Sequence, residues 1–464
     1  MKRFKGAAFV LIAAFATASC SGGQGAGSAL PASGPTNPQI ATQTPKMTNV
    51  RPACAKAKLG YPQCFAMIRT DVVYQKPPQY RAVTNVAASG LGAAASNSWY
   101  YPLEPAQLQQ AYKLPSSSAG KGQTVGIVDA FGDPDAEADL GKYRKAFKLP
   151  ACTIKNGCLQ ILNQSGQTSP LPSPPTGANL GWGVETALDL DMVSAICPNC
   201  HIVLIEATTN SSKNLGISAL AAATAGAGQI SNSYGGPECA VNKKGKIVCF
   251  ASQIAKYAKY YSIPNTIVTA STGDNAWYAG PQSPADYQTV VSVGGTSLYP
   301  YNNSRGWIET AWSGGGSSCS TFVKRPSWEK LSKSLKCPSD TKPGADVSAV
   351  ADPNTGVLVY MSFPYAGGFY VVGGTSAASP IIASTYALAG NASTQNYGAA
   401  LYSAGSSSIT DVIIGKNASP DLENNAGQIC GSNVKGADPT AICTSMPGWD
   451  GPTGVGTPWG VGAF

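Results

Sequence analysis

Glu185 and Asp189, four residues apart in GVETALDLDMV, point from one helix face toward the same neighbour. Exposed, two such acids oppose each other weakly. In a desolvated cleft each raises the other's pKa and they tend to share a proton, which suits acid–base work below neutral pH. Asp191, two residues on, turns away from them. In VVGGTSAASP (371–380) an apolar strand runs into Gly373-Gly374-Thr375, and Ser376 opens a helix of small residues. The glycines permit a tight turn and close approach of a substrate. A hydroxyl at that point lies beside unpaired amides whose field favours developing negative charge. Pro380 is expected within the first turn, where its missing N–H is tolerated. Asp274 follows Gly273 in STGDNAWYAG, at a strand end; protonated it would donate to an oxyanion, ionised it would repel one. Each of these also has an ordinary reading: a solvated helix face, an N-cap serine, a turn aspartate.

The single histidine, His201, begins an apolar strand directly after Cys200 and reads as structural. An ordinary Ser-His-Asp arrangement is therefore excluded, and no G-x-S-x-G turn occurs. If Ser376 is a nucleophile, its proton must pass to a carboxylate. Glu has an ordinary pKa of about 4.3, so it serves as a base in acid or where its site raises that value. Asp411 in TDVIIGKN and Asp450 in SMPGWDGPTGVGTP lie in segments whose Gly-rich turns expose carbonyls, hard oxygen ligands that suit Ca²⁺. Three other places carry less weight. Ser297 repeats the local tripeptide of Ser376, but no small-residue helix follows it. Asp129, closing an apolar strand, reads as structural, with a supporting site role as the alternative. Tyr234 and Gly235 follow a strand and would present backbone to a substrate.

These groups need a scaffold. GQTVGIVDAF (122–131), HIVLIEAT (201–208), QISNSY (229–234), NTIVTAST (265–272) and TVVSVGGT (289–296) read as short, nearly continuous apolar strands. Helical patterns in GWGVETALDLDMVSAI and NLGISALAAATAGAG fall between them. The alternation predicts an α/β domain with a mostly parallel sheet covered by helices on both faces. Catalytic groups should then gather in loops and helix starts beyond the carboxyl ends of the strands.

With 464 residues, 43% of them hydrophobic and only 12% charged, the chain buries a large core and is not a disordered protein. Its net charge is +8, but without a Lys/Arg cluster or aromatic-basic interleaving, so nucleic-acid binding is not expected. Residues 1–19 have the layout of a secretory signal, and TASC before Ser21 also resembles a lipoprotein processing site that would leave a lipid anchor on Cys20. Residues 20–46 read as a flexible spacer, 47–95 as a short disulfide-pinned prosegment or N-terminal extension, and 96–464 as the main domain. Without Cys20, twelve cysteines fall as near neighbours: 54/64, 152/158, 197/200, 239/249, 319/337 and 430/443. Local disulfides in an oxidising compartment are the economical reading, serving as pins for surface segments. For Cys197-Pro-Asn-Cys200 a redox pair and half a metal site are the alternatives.

Taken together, ETALD, SNSYGG, the GD of STGDNA, VGGTSAASP and GWDGPTGVG resemble, in this order, the sedolisin family of serine-carboxyl peptidases. LEPAQLQQAYKLP (103–115), TAWSGGGSSCSTF (310–322) and GADVSAVADPNTG (344–356) extend the resemblance over about 96–464. It implies a subtilisin-like fold and an acid-acting serine endopeptidase cleaving protein or peptide substrates. It further implies Ser376 as nucleophile, Glu185 as general base, Asp189 as its supporting acid and Asp274 as the oxyanion-hole acid. One structural calcium would be held by Asp411, the Val412 carbonyl, the carbonyls of Met446 and Gly448, and Asp450. Met446 stands where the family has Gly, which matters little for a backbone ligand. A monomer, secreted or held at the cell envelope with its catalytic domain outside the cytoplasm, is expected. The alternative function is a non-catalytic secreted or surface interaction module on a peptidase fold.

Overall fold

Why the apolar runs become one layered domain is visible in their alternation. Along the strand Thr124–Ala130, Val125 and Ile127 pack into one core while Val128 and Ala130 pack into a second on the opposite face. The computed structural model describes residues 49–78, 102–331, 337–417 and 439–464. The expected leader 1–19, the spacer 20–46 with Cys20, the boundary at 95/96 and Cys430 lie outside the described residues.

The N-terminal stretch holds β1 (Val50–Pro52), β2 (Gln63–Cys64) and β3 (Met67–Tyr74). Next come α1 (Pro105–Ala111), β4 (Thr124–Ala130), α2 (Ala136–Ala146), β5 (Leu159–Asn163), α3 (Gly181–Ile196) and β6 (His201–Ala207). The middle carries α4 (Ser212–Thr224), β7 (Gln229–Asn232), β8 (Tyr234–Pro237), β9 (Cys239–Val241), β10 (Ile247–Cys249), α5 (Ala251–Tyr257) and β11 (Ile267–Ser271). Then follow β12 (Gln282–Ser283), β13 (Val291–Pro300), β14 (Trp307–Ala311), β15 (Val347–Val350), β16 (Val357–Met361), β17 (Gly368–Gly373) and α6 (Thr375–Ala389).

The main sheet runs β14-β13-β11-β7-β4-β6-β5, with β15 also beside β13. Its pairings are parallel except β13 with β14. This is the mostly parallel, helix-flanked sheet expected from the sequence. The chain moves from β4 to β5 and β6 on one side, then returns to β7 and β11 on the other. Such a switch point opens a crevice beyond the carboxyl ends of the strands.

All sixteen residues of α3 are buried, so the solvated-face reading of Glu185 and Asp189 does not hold. A helix apolar all round and covered on every side has no water-facing stripe to offer. The helix α6 lies against α3 and against β7, β11 and β15. Pro380 stands at the sixth position of α6, not in its first turn as expected. Its ring nitrogen leaves the Ser376 carbonyl without the usual partner four residues on.

The strand that delivers Ser376 does not belong to the parallel sheet. β17 lies in a separate antiparallel sheet, β1-β3-β17-β16, whose other half is the N-terminal stretch. Disulfides join Cys54–Cys64, Cys152–Cys158, Cys197–Cys200, Cys239–Cys249 and Cys319–Cys337, and Cys443 is also disulfide-bonded. The expectation of surface pins fits the exposed β9–β10 hairpin. It fails for Cys197–Cys200 and Cys54–Cys64, which are buried in the cores. Among the described residues no helix is long and apolar enough to cross a membrane.

Candidate active site

Ser376 is the second residue of α6, and Gly374, at φ +96°, makes the turn from β17. That conformation is costly for a side-chain-bearing residue, and there is no room for one. A Cβ on Gly374 would fall 1.8 Å from the Phe65 carbonyl oxygen and 2.5 Å from Asp274 Oδ2. Two separate elements thus press against one glycine.

Glu185 and Asp189, one turn apart on α3, are both fully buried. Burial raises the Glu185 pKa well above the ordinary value, and the charges of Asp129 and Asp274 add to it. The Ser376 hydroxyl and the Ala66 amide pull it back. Glu185 Oε2 accepts from the Ala66 N–H at 2.9 Å, while Oε1 has no partner. Asp189 is likewise raised by burial, then by Asp129 and Glu185. Its Oδ1 lies 2.8 Å from the Ser233 hydroxyl and its Oδ2 has no partner. Ser233 Oγ also reaches the Ser376 carbonyl at 3.2 Å, which satisfies the group that Pro380 leaves unpaired. In this state the Ser376 hydroxyl donates to the Ser233 carbonyl at 3.0 Å.

Asp274 closes the site from the end of β11. Its Oδ1 accepts from the Thr375 N–H at 2.7 Å and the Thr375 hydroxyl at 2.8 Å; its Oδ2 is buried without a partner. Burial lifts its pKa to about 8, against the pull of those two hydrogen bonds. A carboxyl held in this way keeps its proton at neutral pH and can donate it. The four site residues named from the sequence therefore meet: Glu185 feels both Ser376 and Asp274, and Asp189 feels Glu185.

Other readings separate cleanly. Asp191 turns away and accepts from the Tyr360 N–H at 2.8 Å. His201 is exposed at the amino end of β6, its N–H on the Gln123 carbonyl, far along the strand from the switch-point edge. Ser297 donates to Asp352 at 2.7 Å. Tyr234 and Gly235 do offer their backbone, but to β2 of the same chain. Asp129 proves more than a strand end. Buried, with its pKa raised to about 8, it acts electrostatically on both Glu185 and Asp189. Its place at the end of the strand on the switch point was the available signal. Ser233 lay inside SNSYGG with nothing to single it out, and no sequence feature marked Phe65 or Ala66 beyond the cysteine beside them.

Apart from this cleft, Asp411 and Asp450 flank one turn. Asp411 Oδ2 accepts from the Gly448 N–H at 2.7 Å, and Asp450 Oδ2 from the Met446 N–H at 3.0 Å. Burial raises both, Asp450 to about 7, with the charge of Asp411 adding to the latter. Two carboxylates side by side, among turn carbonyls, offer the hard oxygen ligands that suit a cation such as Ca²⁺. No group of three or more His, Cys, Asp or Glu able to hold a metal occurs among the described residues.

No family model matches the chain. Kumamolisin of Bacillus sp. (strain MN-32) is 27% identical over 395 residues, 79% of this chain and 63% of that protein. Sedolisin of Pseudomonas sp. (strain 101) is 26% identical over 387 residues, 76% of this chain and 59% of that one. The chain thus spans under two thirds of the length of the relatives it matches. A solved structure of Pseudomonas sedolisin, described as a serine-carboxyl proteinase complexed with pseudo-iodotyrostatin, superposes with a TM-score of 0.60 at 22% identity. The match covers 78% of this chain and 96% of that one. At that identity the superposition establishes the fold, which is the subtilisin-like fold of sedolisin. By sequence the chain is a homologue, at modest identity over most of its length, of the sedolisin/kumamolisin family of serine-carboxyl peptidases.

Proposed function

We propose that this protein is a serine-carboxyl endopeptidase acting on protein or peptide substrates in acid. One observation carries the reading: three buried carboxyls, each with an unpartnered oxygen, form a chain leading to a serine at a helix start, Glu185 acting on the Ser376 hydroxyl, Asp189 on Glu185, and Asp274 holding the adjoining Thr375. Buried polar atoms without partners are rare unless a reaction or a ligand uses them.

In this reading the Ser376 hydroxyl swings from the Ser233 carbonyl to Glu185 Oε1, gives up its proton there, and attacks the scissile carbonyl. Asp189, sharing charge with Glu185, stabilises the proton in transit. The neutral Asp274 carboxyl and the Ser376 N–H donate to the oxyanion, where an ionised Asp274 would repel it. Glu185 then protonates the leaving amine as the C–N bond breaks. Water repeats the relay to release the acyl group and restore the serine. Burial makes Glu185 a stronger base than an exposed glutamate, which lets a carboxylate replace the absent histidine.

Asp411, Asp450 and the carbonyls of Val412, Met446 and Gly448 would hold one calcium ion, pinning the C-terminal turns rather than entering the reaction. The five disulfides paired among the described residues favour an oxidising compartment, so export, by secretion or by a lipid anchor at Cys20, remains our assignment, with the protein acting as a monomer. Cleavage of a peptide library across acid to neutral pH by wild type and Ser376→Ala tests the core of this reading. Peptidase activity unchanged in Ser376→Ala would refute it.

A further inference from the structure

Two loops closed by disulfides meet at one corner of the molecule. The first runs from Cys54 to Cys64, the second from Cys239 to Cys249, where β9 and β10 form a sheet of their own. A lone two-stranded hairpin is marginal in water, and the Cys239–Cys249 cross-link holds this one at its base. A Cβ on Gly60 of the first loop would fall 3.0 Å from the ring of Phe250, directly after the second, and Gly60, Ser212 and Phe250 line one small pocket. Asn210 Nδ2 ties the same corner by donating to the Pro62 carbonyl at 2.8 Å.

Both loops show apolar side chains and positive charge together. Val241 and Ile247, 65% and 74% exposed, are the two most exposed large apolar side chains among the described residues, and they stand opposite each other across the hairpin. Leu59 and Tyr61 in the first loop are 46% and 41% exposed. Lys56 and Lys58 in one loop and Lys243, Lys244 and Lys246 in the other are all exposed, and neither loop contains an Asp or Glu. Glu238, at the foot of the hairpin, is buried and turned inward, accepting from the Ser320 hydroxyl and from the Thr321 N–H at 2.6 Å. As runs of sequence these lysines are too few to mark a basic segment; folded, they share one corner.

We propose that this corner is a docking surface for an anionic phospholipid bilayer, with Val241 and Ile247 entering the headgroup layer and the lysines meeting lipid phosphates. Apolar side chains held in water on a clamped hairpin are stabilised by entering that layer, and each lysine near an anionic surface adds attraction. Other occupants fit less well. A second copy of this chain would bring lysine against lysine. An acidic protein loses its carboxylate charge in acid, where the peptidase reading places the enzyme, whereas lipid phosphodiesters keep theirs. Nucleic acid has phosphodiesters too, but its bases stack on aromatic rings, and three of the four exposed apolar residues here are aliphatic. The first loop ends in β2, which pairs with β8 directly after Ser233. Docking would thus set the cleft close to the bilayer and to proteins held there.

The test uses the full-length Ser376→Ala protein, unable to digest itself in the proposed mechanism, with Cys20→Ser so that no attached lipid contributes. It is sedimented in acid at low salt with vesicles of phosphatidylglycerol and phosphatidylcholine in equal parts, and with vesicles of phosphatidylcholine alone. Binding to the anionic vesicles only is expected, released by about 1 M salt, where the Debye length falls to about 3 Å. Replacing Lys243, Lys244 and Lys246 together by Gln should weaken binding on the order of a hundredfold, at about fivefold for each lysine. Val241→Ser with Ile247→Ser should weaken it about tenfold or more through lost apolar burial. Both sets change exposed side chains and should leave the circular dichroism spectrum as it is. No binding, equal binding to the two kinds of vesicle, or binding unchanged in either set of variants overturns the proposal. Binding to DNA as tight as to anionic vesicles, and indifferent to Val241 and Ile247, overturns it in favour of nucleic acid. Vesicle binding as expected, with no peptide hydrolysis once Ser376 is restored, would sink the peptidase reading alone.

Discussion

Replacing Asp274 by Asn separates a carboxyl that keeps its proton from one that simply caps a turn. Asn retains an oxygen for the Thr375 N–H and hydroxyl, and presents an NH₂ where Oδ2 now lies without a partner. In the folded protein Asp274 binds its proton up to about pH 8, against an ordinary value of 3.8. Between those values the folded state holds a proton that the unfolded state has released, so stability falls as pH rises. The slope for one proton is about 1.4 kcal/mol per pH unit, or about 4 kcal/mol between pH 4.5 and pH 7.5, as an upper figure. Urea denaturation of Ser376→Ala and of Ser376→Ala/Asp274→Asn, both unable to digest themselves in the proposed mechanism, measures it. The double variant should lose stability less steeply with pH by about one proton's slope. Parallel curves would refute the protonated-acid assignment, and with it the donor proposed for the oxyanion.

Glu185→Gln should lower kcat by about 10²–10⁴-fold, the range typical of a lost general base, with intact-fold controls by circular dichroism. Retained activity would assign the proton transfer elsewhere. Ser233→Ala removes the hydroxyl shared by Asp189 and the Ser376 carbonyl and should reduce kcat about tenfold while KM changes little. A change confined to KM would make Ser233 a substrate-binding residue instead. Calcium at about 100 times its dissociation constant should stabilise the protein by about 2.7 kcal/mol, read as a rise in Tm that a chelator reverses. Asp450→Asn should abolish that rise. An unchanged wild-type Tm with and without calcium would dismiss the site.

Local patterns made much of this molecule legible. α3 begins and ends where GWGVETALDLDMVSAI does, because an unbroken helical pattern stops at Cys197. The parallel strands appeared as short apolar runs because both their faces are covered. The three acids and the serine stood out because residue types and spacing four apart are properties of the chain itself. Pro380 was misplaced by one turn because helix starts are set by backbone turns that composition does not locate to the residue.

Sequence alone determined the chemistry on offer: one histidine at the wrong edge, paired acids on one helix, a serine after two glycines, and cysteines in near-neighbour pairs. Tertiary structure alone decided what those groups experience. Desolvation that lifts Asp274 to about 8, the charge of Asp129 on the Glu185/Asp189 pair, and the seat of Phe65 and Ala66 across Ser376 all come from segments remote in the chain. A pKa depends on the dielectric and charges around a group, and those are set by packing between residues hundreds apart, which no local pattern encodes.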